Sequence, residues 1–190
     1  MPWYGSHAYL NAFIRENRCR NLMEIGVYNG ENARSMIRAA SEYTPPEMIT
    51  YYGLDLFAHY SAARVGRKLD ETGCRHTLIE GDTLETLPEA VETLPLMDVI
   101  FIDAGKSYRE ARNDWVYSAR LMHGGTGVYV HNIGFPGVGR MIDEIPRDMY
   151  MVETFYAPTE GSVALIKKKG LMGVRRPSAA GDIEPHDSIF

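Results

Sequence analysis

Short apolar runs rich in β-branched residues alternate along this chain with longer amphipathic stretches, and this alternation most narrows what it can fold into. Apolar runs of that length suit strands buried on both faces. The stretches between them supply helices with one apolar side, so the pattern predicts βαβ units around a mostly parallel sheet. The strand candidates are Asn21–Val27, Met48–Leu54, Thr77–Glu80, Asp98–Ile102 and Gly127–His131. Helix candidates fall at 31–42, 61–72, 83–92 and 108–122, with a leading helix over 6–18. In the 108–122 segment, Tyr108, Ala111, Trp115 and Met122 share one face, which assigns Trp115 to the core. Arg109, Arg112 and Asp114 point elsewhere on this reading, and His123-Gly124-Gly125 ends the helix.

The C-terminal third changes character. Tyr150–Tyr156 and Ser162–Lys167 are strand-like runs joined by Ala157-Pro158-Thr159-Glu160-Gly161, which predicts an antiparallel hairpin on the sheet edge. Ile133–Gly139 reads as a connecting loop, and Lys167–Lys169 as a solvated strand end. Residues 1–169 form one domain on this reading, and 170–190 are a loosely ordered tail. A chain of 190 residues with 45% apolar content suits one core of that kind. Net charge is −5, which argues against a nucleic-acid partner or an anionic membrane surface. Met1–Ser6 lacks a basic and then apolar leader, no apolar run is long enough to span a bilayer, and Cys19 and Cys74 read as free thiols. The expectation is therefore a soluble cytoplasmic protein. The aromatic residues Trp3, Tyr4 and Tyr9 would suit a homodimer contact.

The chemistry-bearing residues gather at predicted strand ends. Glu24-Ile25-Gly26-Val27-Tyr28-Asn29-Gly30 follows the first strand and opens a helix. Gly26 permits a tight turn there, and Gly30 permits close approach of a ligand or of the helix backbone. Glu24 would repel a pyrophosphate and suits a cationic ligand. Asp55 ends the second strand, beside Leu56, where a carboxylate can accept both hydroxyls of a ribose. Gly81-Asp82-Thr83 ends the third, with Asp82 a candidate partner for an adenine amino group, and Asp103 ends the fourth. Any one of these acids alone reads better as a helix N-cap; the set of four on one sheet edge is what points to a ligand site.

Two features together resemble the class I S-adenosylmethionine-dependent methyltransferases. One is the block Asp98-Val99-Ile100-Phe101-Ile102-Asp103-Ala104-Gly105-Lys106-Ser107-Tyr108. The other is the helix that follows, with Gly124-Gly125 and Val128-Tyr129-Val130-His131-Asn132. Within that family the likeness is to small-molecule O-methyltransferases of the catechol and caffeoyl-CoA type, over roughly residues 20–168. The resemblance implies a Rossmann-like three-layer sandwich with a seven-stranded, mostly parallel sheet and a C-terminal antiparallel hairpin. It also implies that Glu24, Gly26 and Gly30, with Val27 and Tyr28 in the same turn, surround the methionine part of S-adenosylmethionine. Asp55 and Leu56 would meet the ribose, Gly81, Asp82 and Thr83 the adenine, and Asp103 would close the same site.

In such relatives the aspartate matching Asp103 and an Asp-Asn pair after the fifth strand hold a divalent cation, and the lysine matching Lys106 takes the acceptor hydroxyl's proton. Here the pair is His131-Asn132. A hard ion prefers oxygen ligands, and an imidazole in place of a carboxylate removes an oxygen and a negative charge. Three outcomes stay open: a metal-free site with His131 as general base, a softer metal on Asp103, His131 and Asn132, or loss of metal and activity together. Lys106 needs burial or a nearby cation to serve as a base, whereas a histidine titrates near neutrality unaided. Besides O-methylation of a small-molecule acceptor, the residues admit N-methylation of a small amine, non-catalytic binding of S-adenosylmethionine, or a nicotinamide-dependent oxidoreductase. The missing third glycine of the turn argues against the last.

Overall fold

A computed structural model describes residues 7–157 and 161–170. In chain order the elements are α1 (Ala8–Glu16), β1 (Asn21–Ile25), α2 (Glu31–Ser41), a 3₁₀ turn (Pro46–Met48), β2 (Thr50–Asp55), α3 (Ala62–Asp70) and β3 (Arg75–Glu80). Then come α4 (Thr83–Ala90), β4 (Met97–Ile102), α5 (Tyr108–Arg120), β5 (Met122–His131), α6 (Pro136–Asp143), β6 (Tyr150–Ala157) and β7 (Gly161–Lys168). The seven strands form one sheet in the order β3-β2-β1-β4-β5-β7-β6. β1 to β5 run parallel, and β7 and β6 are added antiparallel. The order reverses between β1 and β4, which opens a crevice at the carboxyl ends of the central strands.

Strand periodicity sorts the core into two halves. Leu22, Tyr51, Val99, Phe101, Tyr129 and Leu165 face one side and pack on Phe13, Met36, Ile37 and Leu69 of α1, α2 and α3. Their neighbours Met23, Ile25, Leu54, Ile100, Val128 and Ile166 face the other and pack on Leu87, Trp115, Met141 and Ile142 of α4, α5 and α6. Helices on both faces complete the three-layer sandwich, with every central strand apolar on both sides.

Several boundaries differ from the sequence reading. The second strand begins at Thr50, because Pro45 and Pro46 turn the preceding residues into a 3₁₀ turn. α5 ends at Arg120, and Gly124 and Gly125 lie inside β5, where neither adopts a positive φ. The loop expected over 133–139 is replaced in its second half by α6, whose Val138, Met141 and Ile142 are buried. Asp114, expected to point away from the core, is fully buried in α5 together with Ala111, Trp115 and Ser118. Trp3 and Tyr4, the hairpin tip at 158–160 and the tail from 171 lie outside the described residues, while Tyr9 is half exposed and stacks against Phe155.

Candidate active site

The carboxyl ends of β1, β2, β3 and β4 border a cavity of about 560 Å³. Its walls include Gly26, Tyr28, Asp55, Leu56, Gly81, Asp82, Thr83, Asp103, Lys106 and Asn132. The turn after β1 is shaped by its neighbours. Gly26 has φ +93°, and a side-chain carbon there would lie 2.7 Å from the Asp103 carbonyl carbon and 2.9 Å from the Ala104 nitrogen. Only glycine fits where β1 and β4 end so close together. Tyr28, at φ +52°, donates its backbone N–H to Asp55 Oδ2 at 2.9 Å, and the Phe57 N–H meets Oδ1 at 2.6 Å. Each Asp55 oxygen thus holds one backbone donor and keeps lone-pair capacity for a ligand. Asp82 caps α4, accepting the Leu84 N–H at 2.9 Å, and also stands in the cavity wall.

Glu24, Val27 and Gly30 do not line the cavity. Glu24 is buried, with Oε1 accepting from Asn32 Nδ2 at 2.8 Å and Oε2 from the Tyr51 hydroxyl at 2.5 Å. Burial pushes its carboxyl up to about 8 despite those two hydrogen bonds. Val27 is in the core, and Gly30 caps α2 where a side chain would press on Val65 at 2.9 Å. These three residues build the turn from behind.

At the end of β4, three nitrogen donors converge on Asp103. Lys106 Nζ meets Oδ1 at 2.5 Å, Asn132 Nδ2 meets the same oxygen at 2.8 Å, and His131 Nδ1 meets Oδ2 at 2.9 Å. Burial would raise the Asp103 pKa, but the His131 hydrogen bond and the Lys106 charge outweigh it and hold the carboxyl below its ordinary range. A carboxylate only accepts, so the His131 Nδ1 facing it carries the proton. The imidazole itself is mostly buried and outside the cavity wall, with the His7 ring 4.9 Å away and the Phe101 ring 6.2 Å away. Asp103, Lys106 and Asn132 of this cluster line the cavity, and His131 stands behind them.

Residues 23–133 match the family model described as a methyltransferase domain. The chain belongs to that methyltransferase family. The likeness read from the Asp98–Tyr108 block is borne out for family and fold. Among solved structures, the O-methyltransferase TomG from Streptomyces achromogenes, involved in tomaymycin synthesis and in complex with S-adenosylmethionine, superposes with a TM-score of 0.72 at 21% identity. That match covers 85% of this chain and 78% of that one. An O-methyltransferase from Bacillus cereus in complex with S-adenosylhomocysteine has a TM-score of 0.74 at 16% identity, covering 88% and 84%. CalS11, a TDP-rhamnose 3'-O-methyltransferase of calicheamicin biosynthesis, has a TM-score of 0.71 at 19% identity, covering 84% and 76%. Comparison with curated proteins finds no significant match.

In this methyltransferase, of the residues read as a set for a softer metal, His131 and Asn132 turn N–H groups rather than open lone pairs toward Asp103. Both Asp103 oxygens are engaged by nitrogen donors, the His131 nitrogen that faces them is protonated, and Asn132 presents its N–H side. Among the described residues no group of three His, Cys, Asp or Glu side chains is placed to hold a metal ion. Residues that sequence reasoning missed also line the cavity: Leu54, Ala104, Gly105 and Glu110. Glu110 had a signal, since Ser107-Tyr108-Arg109-Glu110 is a capping-box pattern. The structure forms that box, with Ser107 N–H on Glu110 Oε2 at 3.1 Å and Glu110 N–H on Ser107 Oγ at 3.3 Å. It anchors the loop that carries Lys106.

Proposed function

We propose that this protein transfers the methyl group of S-adenosylmethionine to a hydroxyl oxygen of a small molecule. The observation that carries the reading is the cavity itself, which gathers Asp55, Asp82, Asp103 and Glu110 at the switch point of the sheet and places Lys106 among them. Carboxylate walls favour a cationic ligand, as the amino acid and sulfonium parts of S-adenosylmethionine require. TomG and the Bacillus cereus enzyme, which share the fold, were solved with S-adenosylmethionine and S-adenosylhomocysteine. When bound, this cofactor supplies a methyl carbon on sulfur that is open to in-line attack.

The residues divide the work by position. Asp55, oriented by the Tyr28 and Phe57 N–H groups, receives the ribose hydroxyls, with Leu56 beside it. Asp82 receives the adenine amino group at the end formed with Gly81 and Thr83. Gly26 and Tyr28 contact the methionine part next to Asp103, while Glu24, Val27 and Gly30 support their turn from behind. Lys106 meets the acceptor oxygen, and His131 acts through Asp103 in place of the general-base role. An acidic cavity in a chain of net charge −5 disfavours nucleic acid, and the buried free thiols Cys19 and Cys74 suit a reducing cytoplasm. Tyr9 with Phe155 offers a homodimer contact.

Calorimetric titration of chelator-treated protein with S-adenosylhomocysteine tests the cofactor assignment. Binding in the micromolar range, about −8 kcal/mol, is the expected result. No heat across the pH range 6–9 sinks the reading.

A further inference from the structure

The Asp103 cluster leaves a specific chemical opening. Its carboxylate is met by an ammonium and two N–H donors, so the cation already in place is the side chain of Lys106. The Lys106 side chain is about 31% exposed and lines the cavity beside Asp103 and Asn132. A divalent ion at this position would sit against the ammonium and compete with it for the same Oδ1 lone pairs. Its remaining ligands would be the protonated face of His131 and the N–H face of Asn132. The loop is not free to withdraw: the Ser107–Glu110 capping box fixes it on one side. On the other, Gly137 of α6 packs against it so closely that a side-chain carbon would lie 2.5 Å from the Lys106 carbonyl oxygen and the Tyr108 nitrogen.

Resting on the methyl-transfer reading, we propose that Lys106 takes the place of a metal ion, and that the acceptor is a molecule with one acidic hydroxyl, a phenol or an enol. A divalent ion gathers two neighbouring oxygens through its open coordination positions. An ammonium has three N–H groups, one of them spent on Asp103, and it needs only one acceptor oxygen to neutralise. A vicinal diol is therefore not required. The hydroxyl loses its proton to water as the oxygen settles against the ammonium. The oxygen lone pair then forms the O–C bond while the C–S bond breaks, its electron pair passing to sulfur and leaving a neutral thioether. The protein supplies alignment and a fixed positive charge at the developing oxyanion site and takes up no proton.

Two measurements test this. In the first, Mn²⁺ is titrated into the protein, alone and with S-adenosylhomocysteine, and free ion is read by electron paramagnetic resonance. The expected result is no binding at millimolar ion. Stoichiometric binding that disappears in Asp103→Asn overturns the proposal. In the second, labelled methyl transfer to 4-nitrophenol, 4-hydroxyacetophenone and 3,4-dihydroxyacetophenone is followed against pH in excess chelator. The expected midpoint moves with the acidity of the acceptor, the diol has no advantage over its monohydroxy partner, and Lys106→Met loses at least 100-fold in rate where Lys106→Arg retains part of it. A midpoint common to all acceptors, or turnover confined to the diol with added Mg²⁺, overturns it. So does failure to methylate any of the three by protein that binds S-adenosylhomocysteine. Absence of that binding refutes the cofactor reading instead, and the Mn²⁺ titration still decides the metal question.

Discussion

Asp114→Asn should stabilise this protein at neutral pH and not in acid. Asp114 is fully buried in α5, with its Oδ2 unpartnered. Burial raises its pKa to about 6 from an ordinary 3.8, against hydrogen bonds from Thr83 and Asn113, and the Glu110 and Asp82 charges add to the rise. Below 3.8 the carboxyl is neutral folded or unfolded, and the site carries no penalty. Between 3.8 and about 6 only the unfolded chain ionises, so stability falls as pH rises; above about 6 the loss is constant. At about 1.4 kcal/mol per pH unit, the gap amounts to roughly 3 kcal/mol. Asparagine removes that penalty but places an N–H₂ where Oδ2 had no partner, which costs about 1–2 kcal/mol. The net gain at pH 7.5 is about 1–2 kcal/mol, or roughly 2–8 °C in Tm for a chain of this size. Thermal unfolding of both proteins from pH 4 to 8 measures it, and other titrating groups cancel in the difference. The gain should grow between pH 4 and 6 and then level off. A difference independent of pH, or a variant that is less stable at pH 7.5 than at pH 4 relative to the parent, refutes the reasoning.

Three further outcomes follow from the same geometry. Gly26→Ala forces a side chain into the β1–β4 junction at a left-handed φ; it should lose about 2–4 kcal/mol in urea unfolding and most of its S-adenosylhomocysteine affinity. Glu24→Gln, whose amide can still pair with Tyr51 and Asn32, should bind S-adenosylhomocysteine within threefold of the parent on the calorimeter. Glu24→Ala leaves two buried polar groups unpaired and should cost about 3–5 kcal/mol in stability. A large affinity loss in the glutamine variant would instead place Glu24 in direct contact with the cofactor. Ser107→Ala removes the capping box at the start of α5. It should cost about 1–2 kcal/mol and raise amide hydrogen exchange across 104–110, readable by mass spectrometry.

Much of this protein was legible in its residues because the signals were local. Apolar runs bounded by turns announced the central strands, and acidic residues at their ends announced the edge on which the cavity opens. Asp103, Lys106 and Asn132 are grouped by the methyltransferase resemblance that the Asp98–Tyr108 block and its downstream partner carry, and the structure brings them together. Other features depended on contacts between distant segments. α6 carries Gly137 and Gly139, each costing about 1 kcal/mol against a helix, and forms because Val138, Met141 and Ile142 are buried against the sheet. The glycines at 124 and 125 resemble a helix stop, yet they sit in β5 as it enters the sheet. Asp114 has the polarity of a surface residue and lies in the interior because the α4–α5 contact covers it.

The sequence by itself determined the layered α/β architecture, the edge that holds the site and the residue types available there, since periodicity and turn chemistry act over a few residues. Tertiary structure alone decided that Glu24 turns inward to Tyr51 and Asn32, that His131 lies behind Asp103, and that the Lys106 ammonium pairs with the Asp103 carboxylate. Those outcomes depend on which donors reach each carboxylate first, a matter of distances of 2.5–2.9 Å between residues as many as 29 positions apart. No local pattern encodes the long-range distances among them, because those depend on how neighbouring strands align in the sheet.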